Sequence, residues 1–144
     1  ARLSFVIAYF DASAFLKLII REPGTDDARV TWLSANRRIS SRLLYPEARA
    51  GLSRASRMRR IAGPALDQAR AQIEAYLASV DLLEVTNAVA RHAGELAEEH
   101  GLRAYDAVHL ATLDVVADDD TVLVATDAAL VRAAQARGIS TASL

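Results

Sequence analysis

Apolar and polar positions divide the chain into short continuous runs and longer helical stripes. Val6-Ile7-Ala8-Tyr9-Phe10 is an unbroken apolar run that stops at Asp11. Such a run is too short for a helix of its own and reads as a strand buried on both faces. A helical pattern starts at once and covers Ala12 to Arg21. Glu22-Pro23-Gly24 breaks it, since proline disfavours helix in the residue before it and glycine suits a turn. Thr25 or Asp26 caps a second helix through Trp32 to about Ala35. Arg38-Ile39-Ser40 reads as a short strand. Leu44, Ala48, Leu52 and Ala55 then form one stripe of a long helix that runs to Arg60.

Gly63-Pro64 separates that helix from another over residues 65–79, with proline where a first turn tolerates it. Leu82 to Thr86 is a strand candidate. Asn87 is placed to cap a helix ending at His100-Gly101, where glycine suits the position after a helix. Residues 103–117 form an apolar helix and Asp118-Asp119-Asp120 a solvated turn. Thr121 to Ala125 is a clear strand ending at Thr126-Asp127. A last helix runs to Arg137, and Ile139 to Ala142 is an edge strand. Strands alternating with helices predict an α/β fold: a three-layer α/β/α sandwich around a small, mostly parallel sheet, as one domain over residues 1–144.

Composition narrows the picture. The chain is 52% apolar over 144 residues, enough for a sizeable core and too apolar for disorder. It holds no apolar run of about 18 residues, so no membrane span is expected. Arg2 precedes only a short apolar run with no small-residue cleavage site, unlike a secretory leader. The absence of cysteine excludes disulfides and thiolate metal sites and fits a cytoplasmic protein. With a net charge of −1, no global basic field argues for nucleic acid.

The chemistry lies in four acids. Asp11 and Asp127 each follow an apolar strand, so a parallel sheet places both on one rim, where open α/β sheets bind ligands. Either also suits a helix N-cap. Glu47 is the one acid between Asp27 and Asp67, and Asp106 lies inside a mostly apolar helix. Buried carboxylates are costly unless paired, protonated or bound to metal. A salt bridge to Arg103 would explain Asp106 alone, but not all four together. A hard divalent cation removes their mutual repulsion, and oxygen-only ligands select Mg²⁺ or Mn²⁺. Such sites hydrolyse phosphodiesters.

Eight arginines between Arg37 and Arg60 surround Glu47 and would grip a polyanion without regard to sequence. A solvated face or a surface for an acidic protein is the plainer alternative. Ser13 either caps the first helix, the commoner role, or bonds Asp11. Lys17, the only lysine, touches phosphate, pairs with an acid or stays in solvent. His109, three residues after Asp106, reaches the site or, as the commoner role, is a satisfied core or surface histidine. Asp114 is a reserve acid, and Tyr9, Tyr45 and Tyr105 pack or stack on bases. A receiver-type phosphotransfer domain needs paired acids and a later strand-end lysine, which are missing. No Gly-x-Gly-x-x-Gly follows a strand, which leaves a dinucleotide fold unsupported.

Four segments resemble the PIN-domain ribonucleases, and within them the VapC-type toxins of bacterial toxin–antitoxin pairs. They are Tyr9-Phe10-Asp11-Ala12-Ser13-Ala14 with Lys17, Tyr45-Pro46-Glu47-Ala48-Arg49-Ala50, Leu102 to Ala111 around Tyr105-Asp106-Ala107, and Val124-Ala125-Thr126-Asp127. Their order covers nearly the whole chain, and the third is the most specific. The resemblance implies catalytic and metal-binding roles for Asp11, Glu47, Asp106 and Asp127 around one or two Mg²⁺ or Mn²⁺ ions. Ser13, Lys17, Arg49 and Thr126 become candidate substrate contacts. It implies an endoribonuclease acting on structured RNA such as tRNA or rRNA, a VapB-type antitoxin laid across the groove, and a homodimer. The alternative within the same fold is an RNA- or partner-binding module without cleavage. The sequence departs from the family where Ala125 replaces a frequent Ser or Thr two residues before the last acid, with Thr126 beside Asp127 instead. Ala128 and Ala129 also stand where a basic residue is frequent.

Overall fold

A computed structural model describes residues 5–144; Arg2 and the start of the chain lie outside the described residues. Five strands and seven helices follow in the order β1 (Ile7–Phe10), α1 (Ala12–Ile19), α2 (Thr25–Ser34), β2 (Arg37–Ser41), α3 (Leu44–Arg57), α4 (Pro64–Leu77), β3 (Asp81–Leu83), α5 (Asn87–His100), α6 (Ala104–Val116), β4 (Thr121–Ala125), α7 (Ala128–Ala136) and β5 (Ser140–Ser143). The sheet order is β3-β2-β1-β4-β5, and every pairing is parallel. The expected three-layer α/β/α architecture is therefore present, with a fully parallel sheet.

Strand alternation divides the core. Ala8 and Phe10 of β1 face the layer of α1–α4 together with Phe15, Trp32, Leu52 and Ile73. Tyr9 faces the opposite layer of α5–α7 with Leu96, Leu110, Leu113 and Leu130. Burial of both sheet faces explains why β1 and β4 read as continuous apolar runs. Phe10, Phe15, Trp32 and Tyr76 meet mostly edge-on, with ring centroids 5.1–6.2 Å apart, the geometry favoured by aromatic quadrupoles. No helix among the described residues is long and apolar enough to cross a membrane.

Several boundaries differ from expectation for local reasons. Gly24, in the left-handed region, precedes α2, so neither Thr25 nor Asp26 is its cap. Thr86 rather than Asn87 caps α5, because its hydroxyl accepts the Val89 N–H at 3.1 Å. β3 stops at Leu83 because its one partner, β2, ends at the facing Ser41. The helix expected to reach Arg60 ends at Arg57, and Arg59 takes a positive φ.

The sheet order places the site. The chain leaves β1 toward β2 on one side and later returns to β4 on the other. Adjacent strands β1 and β4 therefore carry connections that diverge at their carboxyl ends, the crevice where such sheets bind ligands. Asp11 and Asp127 follow these two strands directly.

Two glycines give opposite outcomes. Gly24 has φ +95°, and a Cβ there would lie 3.0 Å from Lys17 Cδ. Gly24→Ala should destabilise the protein by about 1–2 kcal/mol. Gly94 sits inside α5 with open space around it, so Gly94→Ala should stabilise by about 0.5–1 kcal/mol. Urea unfolding of the two variants beside the wild type measures both signs.

Candidate active site

Asp11 caps α1: its Oδ1 accepts the Ala14 N–H at 2.9 Å. The Ser13 hydroxyl lies 2.8 and 2.9 Å from the two carboxylate oxygens and donates to them. Ser13 thus serves Asp11 rather than capping the helix, because Asp11 itself holds the N-cap position and Ser13 lies inside α1. Thr126 Oγ1 donates to Ser13 Oγ at 2.8 Å and extends the chain of hydroxyls to the end of β4. Asp127 repeats the cap on α7, accepting the Leu130 N–H at 2.9 Å. Both capping roles are real, and each leaves one oxygen outside the cap bond.

The other two acids come from helix first turns. Glu47 lies in the first turn of α3, just after Pro46, whose missing N–H costs nothing at a helix start. Asp106 lies in the first turn of α6. The positive ends of these helices favour carboxylates there. Arg103 Nη2 lies 3.4 Å from Asp106 and 3.6 Å from Asp127, on a side chain that is 80% exposed. The expected Arg103–Asp106 pair is thus present, as half of a wider bridge. Glu47 Oε1 lies 2.7 Å from His109 Nε2.

These groups line one cleft of about 610 Å³ that contains Asp11, Ser13, Glu47, Arg103, Asp106, His109, Thr126 and Asp127. Asp11 is 3% exposed. Its burial pushes the carboxyl up to about 6, against the Ala14 N–H and Ser13 hydroxyl that favour its charged form. Burial also raises the Asp106 carboxyl, helped by the charge of Asp127 and opposed by Arg103.

The donor set suits a hard divalent cation: carboxylates and hydroxyls, no thiolate, and more negative charge than Arg103 offsets. Among the described residues, however, no three acids or histidines converge on one point ready to ligate an ion. Each of these acids is held by a protein partner: Arg103 lies beside Asp106 and Asp127, and His109 holds one oxygen of Glu47.

Two candidate contacts lie elsewhere. Lys17 Nζ binds Glu22 at 3.2 Å and the Pro23 carbonyl at 2.7 Å, which ties it to the α1–α2 turn. Arg49 stacks on Tyr45 and donates to its hydroxyl at 2.7 Å. It lines a neighbouring groove of about 560 Å³ with Ser53 and Arg70. The arginine-rich stretch is largely engaged away from the cleft: Arg37 with Asp81, Arg42 with Glu84, Arg60 with Glu22, and Arg38 on the carbonyl and ring of Trp32. These four arginines meet protein groups outside the cleft rather than lining it. Asp114 is no reserve acid, because it pairs with His92 and Arg137. Burial works against its charge, but those bonds outweigh it and hold the carboxyl below its usual range. Tyr105, 61% exposed, also lines the cleft. His109 reaches the site, a contact signalled only by its spacing from Asp106.

An α/β/α sandwich with an acidic cleft at the switch point of a parallel sheet is the class of protein these observations define. The PIN domain profile matches residues 8–136. Ribonuclease VapC49 of Mycobacterium tuberculosis is 41% identical over 132 residues, covering 92% of each chain. Among solved structures, a Pyrobaculum aerophilum protein is similar with a TM-score of 0.70 at 21% identity, over 94% of this chain and 90% of its own. VapBC2 from Rickettsia felis, bound to a DNA fragment, is similar with a TM-score of 0.63 at 12% identity, over 96% and 98%. The chain belongs to the PIN-domain family and, within it, to the VapC group.

The Asp11 carboxyl has a sharp consequence in metal-free protein. Its folded value of about 6 exceeds the ordinary 3.8, so the folded state holds a proton that the unfolded state releases between those values. Stability falls as pH rises through that window and is flat above it. Asp11→Asn should therefore stabilise the metal-free protein by about 1–3 kcal/mol at pH 7.5. The gain should vanish below about pH 4. Thermal unfolding in EDTA across pH 3.5–7.5 tests this.

Proposed function

We propose that this protein is a divalent-metal-dependent endoribonuclease, the VapC-type toxin of a toxin–antitoxin pair, acting on structured RNA such as tRNA or rRNA in the cytoplasm. The observation that carries the reading is the convergence of Asp11, Glu47, Asp106 and Asp127, from four separate segments, on one cleft. The relative named Ribonuclease VapC49 supports the activity. Similar structures include a VapBC assembly and a toxin–antitoxin complex from Klebsiella pneumoniae, which supports a VapB-type partner; that this partner lies across the cleft is part of the proposal. A homodimer is part of the same proposal.

Asp11 and Asp106 would hold the principal Mg²⁺ or Mn²⁺, with Glu47 beside them and Asp127 toward a second ion or a water. When bound, the metal would supply charge neutralisation at the phosphate and acidify water. The protein's own residues do the positioning. Ser13 and the Ala14 N–H fix the Asp11 carboxylate, and Thr126 fixes Ser13. Glu47 has Oε1 engaged by His109, which would leave Oε2 to bind the metal directly or through water and to orient the attacking water. Water adds to phosphorus and gives up a proton to solvent, the bond to the 3′ oxygen breaks and that oxygen takes up a proton from solvent, and the products carry a 3′-hydroxyl and a 5′-phosphate.

Asp11→Asn and Asp106→Asn should each lower cleavage of total RNA by more than about 100-fold, since even outer residues around a metal cost 10–100-fold. EDTA should abolish cleavage and Mn²⁺ restore it. Cleavage that persists in EDTA would overturn the metal mechanism. RNA retention with no metal-dependent turnover would instead identify a binding module.

A further inference from the structure

His109 is 1% exposed and belongs to α6, one turn beyond Asp106. Its ring stands edge-on to Tyr9, with centroids 5.6 Å apart and planes at 84°. Both ring nitrogens are engaged: Nδ1 lies 2.7 Å from the Tyr9 hydroxyl, and Nε2 lies 2.7 Å from Glu47 Oε1. Tyr9 is fully buried in β1, two residues before Asp11.

The partners on the two sides differ in kind. A carboxylate only accepts, whereas a phenol can donate. A neutral imidazole with its proton on Nε2 satisfies both: Tyr9 O–H donates to Nδ1, and Nε2–H donates to Glu47. The opposite tautomer would set the Nε2 lone pair against the carboxylate. We propose that His109 is a positioning residue, held by Tyr9 in the Nε2–H tautomer, which pins one oxygen of Glu47 and turns the other toward the reacting centre. A histidine serving only the core would bond to backbone or to other buried groups. This one spends its donor on a cleft acid supplied by a helix 62 residues away in sequence. Rings that orient acids and ligands in this way around metal sites also fix their own tautomer through a second bond. The proposal rests on the metal-dependent reading of the cleft, in which Glu47 is one of the ligands.

Two measurements test it. In metal-free protein, ¹⁵N shifts of the His109 ring should show a single Nε2–H tautomer, and Tyr9→Phe should give a mixture. An Nδ1–H tautomer in the wild type overturns the proposal. In Mn²⁺ titration calorimetry, His109→Leu should weaken binding by about 10–100-fold, and His109→Gln, which keeps a donor near Nε2, should return it to within about threefold of wild type. His109→Leu binding Mn²⁺ as the wild type does, or Gln failing as Leu does in folded protein, overturns it as well. If the wild type takes up no Mn²⁺, the metal reading falls, and the ring tautomer alone decides the role of His109.

Discussion

The cleft depends on a carboxylate kept away from water. Asp11 sits at the end of a central parallel strand, with apolar layers on both sides of the sheet, and solvation cannot relieve its charge. A helix N–H and a serine hydroxyl lower the cost without removing it, and its carboxyl stays raised to about 6. Three further acids open onto the same cleft, so the local balance is negative in a chain whose overall charge is close to zero. The arrangement around them follows from that excess. Arg103 reaches across Asp106 and Asp127, His109 engages Glu47, and Thr126 supports Ser13.

Topology sets this up before any side chain is considered. β1 and β4 are neighbours although more than 100 residues apart, and their exits diverge at the carboxyl edge. The helices after them need caps, and aspartate meets that need with one oxygen. Cap and ligand are thus compatible roles for one side chain, and the same residues that start α1 and α7 define the cleft. Glu47 and Asp106 join from the starts of α3 and α6, so four helix N-termini contribute acids to it. The positive ends of those helices make the collection tolerable in the free protein.

Much of this was legible in the sequence. Continuous apolar runs located β1 and β4, and the Leu44, Ala48, Leu52 and Ala55 stripe located α3. Asp11 and Asp127 stood out as acids following apolar strands, and Glu47 and Asp106 because each lay where a surface charge was unexpected. What escaped was set by long-range partners. The arginines near Glu47 looked like a phosphate grip, but Arg42 and Arg37 reach across the β2–β3 edge to Glu84 and Asp81. β3 ends early because β2 runs out, which no property of Glu84 or Val85 announces. The Ser13 bond to Asp11 was one of the two roles its position offered, but the link from Thr126 to Ser13 was not legible. His109 read first as a satisfied core or surface histidine, and the structure buries it and also sets it against Glu47.

Anomalous diffraction from crystals grown with Mn²⁺ tests the central claim most directly. The account predicts density between the carboxylates of Asp11 and Asp106, with Glu47 turned toward it and Arg103 displaced from Asp106. Saturating Mn²⁺ that leaves the cleft without an anomalous peak, with Arg103 still bridging Asp106 and Asp127, would contradict it.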